Sequence, residues 1–248
     1  MYLRFCGAQF KTVQSNNHAC PSNSSCLPFL IPPPLPPTTE SSPQSSLSSS
    51  SLSSSPAPVP ASKLAQWARD HGQRSKHSVN GKDEDEVDFE RGDVQAFLEL
   101  LENEVHDAVL YTTHMHPPNL HNLTTPLYAP VVNTASLIHP FLSSQLRASA
   151  LTHLKRRHPG TVDRDTIFAD ADAALEALSK LLGTDTWFFN GKAPGLLDAA
   201  VFAYLHVILT GGWEEDWAGG LRKGVQMREN LVSFWERVDQ WWQFVVNK

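Results

Sequence analysis

The sequence predicts an α+β protein in two unequal parts, a short mixed part over residues 1–72 and an all-helical domain over residues 93–248. Three observations carry this. Apolar residues recur at helical spacing in five successive stretches from Val94 onward. A proline- and serine-rich tract separates two short strand-like runs near the N-terminus from that helical region. Between Trp187 and Leu209 the chain reads WFFNGKAPGLLDAAVFAYLHVIL, an aromatic run, a break at Asn190-Gly191, and a helix apolar nearly all round. A helix with that pattern belongs in the middle of a core.

Tyr2-Leu3-Arg4-Phe5-Cys6 reads as the end of a helix closed by Gly7. Phe10-Lys11-Thr12-Val13 alternates as a short strand, and Leu27-Pro28-Phe29-Leu30-Ile31 is a second strand entered through a proline. Residues 32–60 hold a run of prolines, then eleven serines in the fifteen positions 41–55, then Pro56, Pro58 and Pro60. Such a segment buries too little apolar surface to offset chain entropy, so it is expected to be a disordered insert. Residues 63–71 form a short amphipathic helix with Leu64, Trp67 and Ala68 on one side. Residues 73–92 are an acidic linker with no metal-loop spacing.

Asp93 is the expected N-cap of the first long helix, whose stripe is Val94, Phe97, Leu98, Leu101, Val105, Ala108 and Val109. It ends before Pro117-Pro118, and a loop carries Pro126 and Pro130. A second helix is predicted over residues 140–157, a third over 163–182 and the apolar one over 196–209. A last helix carries Val225, Leu231, Phe234, Trp235, Val238, Trp241, Trp242 and Val245.

The net charge of -6 gives no reason to expect nucleic-acid binding. Lys155, Arg156, Arg157 and His158 make the only basic cluster, and its place at a helix end predicts complementation of the helix dipole rather than an anion site. Three irregularly spaced cysteines, Cys6, Cys20 and Cys26, fit a reducing compartment better than a disulfide scaffold. The N-terminus has neither a secretory h-region nor the pattern of a matrix transit peptide. No stretch reaches the ~20 apolar residues that span a bilayer. Membrane association is therefore expected through a partner or through an anchor outside this sequence.

Candidate chemistry is sparse. His114, His116 and His121 lie together but lack a neighbouring Cys, Asp or Glu, so no metal site is expected. Cys6 stands at the C-terminal end of a helix, where the dipole disfavours a thiolate, so an unreactive core thiol is expected. No GxSxG, HExxH, P-loop or GxGxxG motif occurs. Asp198, three residues after Gly195, is placed to cap the helix it begins. Trp235, Trp241 and Trp242 suggest either an interface or a core contact, and helical spacing favours the core.

Together these words resemble the metaxin family, outer-membrane proteins related to glutathione transferases. Tyr2 to Gly7, Phe10 to Val13, Ser15-Asn16-Asn17-His18-Ala19 and Leu27 to Leu30 resemble the first half of its thioredoxin-like domain, with Pro28 where that fold places a cis-proline. Ala96-Phe97-Leu98, Leu110-Tyr111 and Pro126-Leu127-Tyr128 resemble the start of its helical domain. Phe188-Phe189, Gly191 and Leu197-Asp198-Ala199 resemble the central-helix signature of the glutathione-transferase C-terminal domain.

The resemblance implies a truncated thioredoxin-like part followed by a glutathione-transferase C-terminal-like helical domain. It implies that the first strand, after which catalytic relatives carry their activating Tyr, Ser or Cys, is missing here. A proline-serine tract stands where the glutathione cradle would follow, and Gly195 stands where relatives carry a Ser or Thr cap. The sequence stops at Lys248 without the C-terminal anchor that metaxin-type proteins can carry.

The function implied is that of a non-catalytic subunit of the mitochondrial sorting and assembly machinery on the cytosolic face of the outer membrane, with no cofactor. Its implied partners are the other subunits of that complex and β-barrel precursors. The alternative is a soluble glutathione-transferase-like enzyme.

Overall fold

A computed structural model describes residues 1–13, 28–33, 57–72, 91–128, 135–213 and 215–246. The chain divides into two units, Cys6–His77 on the one hand and Met1–Phe5 with Ser78–Lys248 on the other. The serine run 41–55 and nearly all of the acidic linker lie outside the described residues.

In the unit Cys6–His77, strand β1 (Phe29–Leu30) pairs antiparallel with β2 (Val59–Pro60), Phe29 opposite Pro60 and Leu30 opposite Val59. β2 corrects the reading of residues 32–60 as wholly disordered, because the last two residues of that tract form a strand. Proline donates nothing to a ladder, and a two-residue strand end is a place that tolerates it. Phe10–Val13, expected as a strand, has no strand assignment, and Val13 is exposed. Alternation alone makes no strand without a paired edge and a buried face.

β2 runs straight into the helix that Leu64, Trp67 and Ala68 predict, here numbered α2 after a first turn in the other unit; it spans Ala61–His71, and Ala68 is fully buried. The Gly72 N–H closes α2 on the Ala68 carbonyl at 2.8 Å. A Cβ at Gly72 would collide with the Cys6 carbonyl, so only glycine lets these two segments meet.

The second unit begins with that first turn, α1 (Tyr2–Phe5). Past it, at Gly7, the backbone takes the positive φ of 76° expected of a helix-closing glycine. α3 (Gly92–Leu100) continues through a π-helical turn, Leu101–Val105, into α4 (His106–His114). Arg91, not Asp93, occupies the N-cap position; Asp93 sits in the first turn and accepts from the Val94 N–H at 2.9 Å and from the Arg91 guanidinium.

The expected loop after Pro117 is largely helical: α5 (Pro117–Asn119), a second π turn (Leu120–Thr124) and α6 (Thr125–Tyr128). Its polar side chains satisfy the carbonyls bared at the end of α4. Asn119 donates to the Thr112 carbonyl at 3.1 Å, and Thr124 donates to that of Thr113 at 2.8 Å.

α7 (Ala135–Arg157) starts five residues before the expected Pro140, which it carries inside its second turn. There the missing proline N–H costs only a bond near the helix start. α8 (Arg164–Leu182) is capped by Asp163, which accepts from the Thr166 N–H at 2.9 Å. A 3₁₀ turn (Phe188–Asn190) leads to α9 (Leu196–Thr210).

The predicted last helix is two, α10 (Glu215–Gln226) and α11 (Glu229–Val246). Gly220 and Gly224 hid α10, since glycine is a poor helix former. Here they allow close packing, because a Cβ on Gly220 would touch the Phe168 ring at 3.3 Å and one on Gly224 would lie 2.9 Å from the Asp172 carboxylate.

The core gathers Leu101 and Val105 of the π turn, Leu175 and Leu178 of α8, Leu205 and Ile208 of α9, and Leu231 and Phe234 of α11, each 0–1 % exposed. α9 is central but not enclosed on every side. Ala203, Val207 and Thr210 make an exposed strip along it, so small and apolar residues there do not imply burial.

Candidate functional site

Asp198 is buried in the first turn of α9. One carboxylate oxygen accepts from the Gly195 N–H at 2.8 Å, and the other accepts from the Phe188 N–H at 3.1 Å. Gly195 has no side chain to reciprocate, so the acid alone makes the cap. Its second bond reaches back ten residues and fixes the turn Phe188–Asn190. That turn needs fixing, since Phe189 and Asn190 adopt φ of 59° and 54°, a region costly for a bulky residue.

The aromatic turn is one side of a cluster completed by α1 and α11. Phe234 meets Trp187 and Phe188 edge-on at 6.2 and 5.4 Å. Phe5 meets Trp187 at 6.3 Å and Trp241 at 5.2 Å. Arg237 lies over Trp187 and Phe234 and donates to the Thr186 carbonyl at 2.6 Å. Trp235 is half-buried and points its indole N–H at His206, 3.4 Å away. Trp241 keeps 38 % of its surface exposed, and Trp242 is half-buried. The three tryptophans therefore do not form one patch. Trp235 packs on α9, while Trp241 covers Phe5.

A second buried acid was not found from sequence. Asp107, at the start of α4, is fully buried. Its Oδ2 accepts from the Arg157 guanidinium at 2.7 Å and lies 3.0 Å from His158 Nε2. Arg157 also donates to Asn103 at 2.6 Å and approaches Glu104 at 3.8 Å. The basic cluster at the end of α7 thus splits. Lys155 and Arg156 remain exposed, while Arg157 and His158 clamp α7 to α4. Arg157 still lies in the last turn of α7, and the ion pairs of Arg157 and His158 add to what the helix end alone predicts. The available signal was Asp107 lying between Val105 and Ala108 on an apolar stripe, but nothing local named a partner fifty residues away.

His114 is bonded within its own helix to Leu110 and Thr113, and His121 approaches Ser143 at 3.4 Å. His116 is buried just before Pro117. Among the described residues, the group with metal-ligand geometry is instead His106, Asp107 and His153, whose donor atoms all lie within 4.8 Å of one another. Burial, and then His153, lower the pKa of the His106 imidazole from its usual value. Burial, reinforced by Glu102 and Asp107, pushes the Tyr204 hydroxyl up to about 12. Cys6 is a buried free thiol. Among the described residues no helix is long and apolar enough to cross a membrane.

Comparison with known proteins gives two family matches in chain order. Residues 1–135 match the family described as "Outer mitochondrial membrane transport complex protein", and residues 171–238 match "Glutathione S-transferase, C-terminal domain". The chain is 30 % identical to Metaxin-2 of Mus musculus over 156 residues, 63 % of this chain and 56 % of that protein. It is 29 % identical to Metaxin-2 of Homo sapiens over 153 residues, 62 % and 56 % of the two chains. With a Metaxin-1 homolog of Caenorhabditis briggsae it shares 34 % over 158 residues, 63 % and 46 %. The chain spans about half the length of these curated relatives.

Proposed function

The chain belongs to the metaxin family, and from that premise we propose that it is a non-catalytic subunit of the outer-membrane sorting and assembly machinery of mitochondria. In this reading it sits on the cytosolic face of the membrane, beside other subunits of the complex, and assists insertion of β-barrel precursors. The observation that carries it is the match of residues 1–135 to an outer mitochondrial membrane transport complex protein. The helical half supports it as a scaffold with its own core. In the same reading β1 and α2 belong to a thioredoxin-like part. Asp198 serves the scaffold as a cap, and of Trp235, Trp241 and Trp242 it is Trp241, partly exposed beside Phe5, that is most available to a partner.

Cell fractionation followed by pull-down tests this. The protein is expected in the outer-membrane fraction together with barrel-assembly subunits. Its absence from both removes the proposal.

The match to a glutathione-transferase C-terminal domain favours a second reading, a glutathione-dependent enzyme. Chemistry weighs against it. Cys6 is buried and follows a helix C-terminus, where the dipole disfavours a thiolate. Retention on immobilised glutathione together with turnover in a conjugation assay would establish the enzyme instead.

A further inference from the structure

We propose that His106, Asp107 and His153 form a binding site for a divalent transition-metal ion, with zinc the ion that this donor set fits best. The site lies between α4 and α7 and is separate from the transport role proposed above.

Four observations carry it. First, Asp107 Oδ1 is fully buried and faces two histidines at distances longer than a well-formed hydrogen bond, although Oδ2 of the same carboxylate is well satisfied. A buried carboxylate oxygen left in that state is costly, and a bound water or ion is what commonly completes it.

Second, two imidazoles converge on that same oxygen. His153 Nε2 stands 3.4 Å away and His106 Nδ1 stands 3.7 Å away, with the two rings at 77° and their centroids 5.5 Å apart. Metal–ligand bonds of about 2.0–2.1 Å in a tetrahedron place neighbouring donors roughly 3.3 Å apart. The histidines therefore need only small side-chain rotations, and at 38 % and 46 % side-chain exposure they are free to make them. Their exposure also leaves a fourth, outward position for water.

Third, Asp107 is oriented for a cation, because Arg157 and His158 hold its far oxygen in place and Glu102 adds negative charge near His106. A ligating carboxylate oriented by outer hydrogen bonds is the usual arrangement around protein metal ions. Two imidazoles with one carboxylate select zinc or its neighbours over magnesium and calcium, which prefer oxygen alone.

Fourth, the π turn Leu101–Val105 directly precedes His106 and Asp107. Single π turns inside α-helices recur at functional sites.

The test uses the untagged full chain, stripped with a chelator, and titrates it with Zn²⁺ by calorimetry and with Co²⁺ by visible absorption. One equivalent is expected, with the intense d–d bands of a four-coordinate cobalt site and a higher melting temperature that a chelator reverses. His153→Gln and His106→Gln should each weaken binding by at least about tenfold, a loss at the lower end for metal-site substitutions. His153 is exposed and His106 half-buried, so the metal-free variants should keep the parent's circular dichroism. If no stoichiometric binding is seen, or cobalt reports six-coordination, or the variants bind as tightly as the parent, the site does not exist.

Discussion

Asp198 and Asp107 are both buried acids in the first turn of a helix, yet they are held in opposite ways. Asp198 is satisfied by backbone N–H groups within ten residues of itself. Asp107 depends on side chains of another helix fifty residues on, and one of its oxygens is left to two histidines. The first is a local device, built from a single helix start and the turn before it. The second is an assembled device, sensitive to every element that contributes to it.

The largest expected effect breaks the assembled device. Arg157→Ala leaves the Asp107 carboxylate without its strongest partner and should destabilise the fold by about 3–5 kcal/mol, the range for a buried charge deprived of its mate. Chemical denaturation measures this. A loss smaller than that of the Asp198 variant would abolish the contrast.

Asp198→Ala removes only the acid half of a cap and its tie to Phe188, and should cost on the order of 1–2 kcal/mol. A thermal melt unchanged from the parent would show that the cap is idle.

Acid separates the two sites further. His106 is held below its ordinary value of 6.5 by burial and then by His153, with Asp107 and Glu102 pulling the other way. His114 is lowered by burial as well. The unfolded chain therefore takes up protons that the folded one resists. Stability is full above the ordinary histidine range and should fall as pH drops below 6.5 toward the depressed values. His106→Gln should flatten its share of that slope, while Asp198→Ala should leave it as steep as in the parent.

The smallest effect appears only in alkali. Tyr204 is raised from 10.0 to about 12, so the folded state disfavours its phenolate. Its contribution is intact below pH 10 and is lost as pH climbs through that value toward 12. Phenolate absorbance should show one late-titrating tyrosine. It should titrate earlier when Glu102, the next contributor after burial, is changed to Gln.

What the sequence disclosed follows the same division. α8 was legible because Ile167 to Leu182 keep helical spacing within one segment, and its ends are set locally by Asp163 and Gly183. α10 was not, because its glycines serve the neighbouring Phe168 and Asp172 and so read locally as breakers. The π turns carry no composition signal, and they arise where a packed helix accommodates one more residue. β2 was hidden in a proline tract because its partner, β1, supplies the reason for it. The His106–Asp107–His153 group was invisible because its third donor comes from another helix.

Asn230 and Arg228 stitch the start of α11 to α8. Asn230 donates to the Ser179 and Gly183 carbonyls and accepts from the Ser179 hydroxyl, while Arg228 spans Asp172, Glu176 and the Gly224 carbonyl. The last turn of one helix is thereby roofed by the first turn of another. Neither can fray alone, so amide deuterium uptake in these two turns should rise in a single step, and clipping the chain between them would release both.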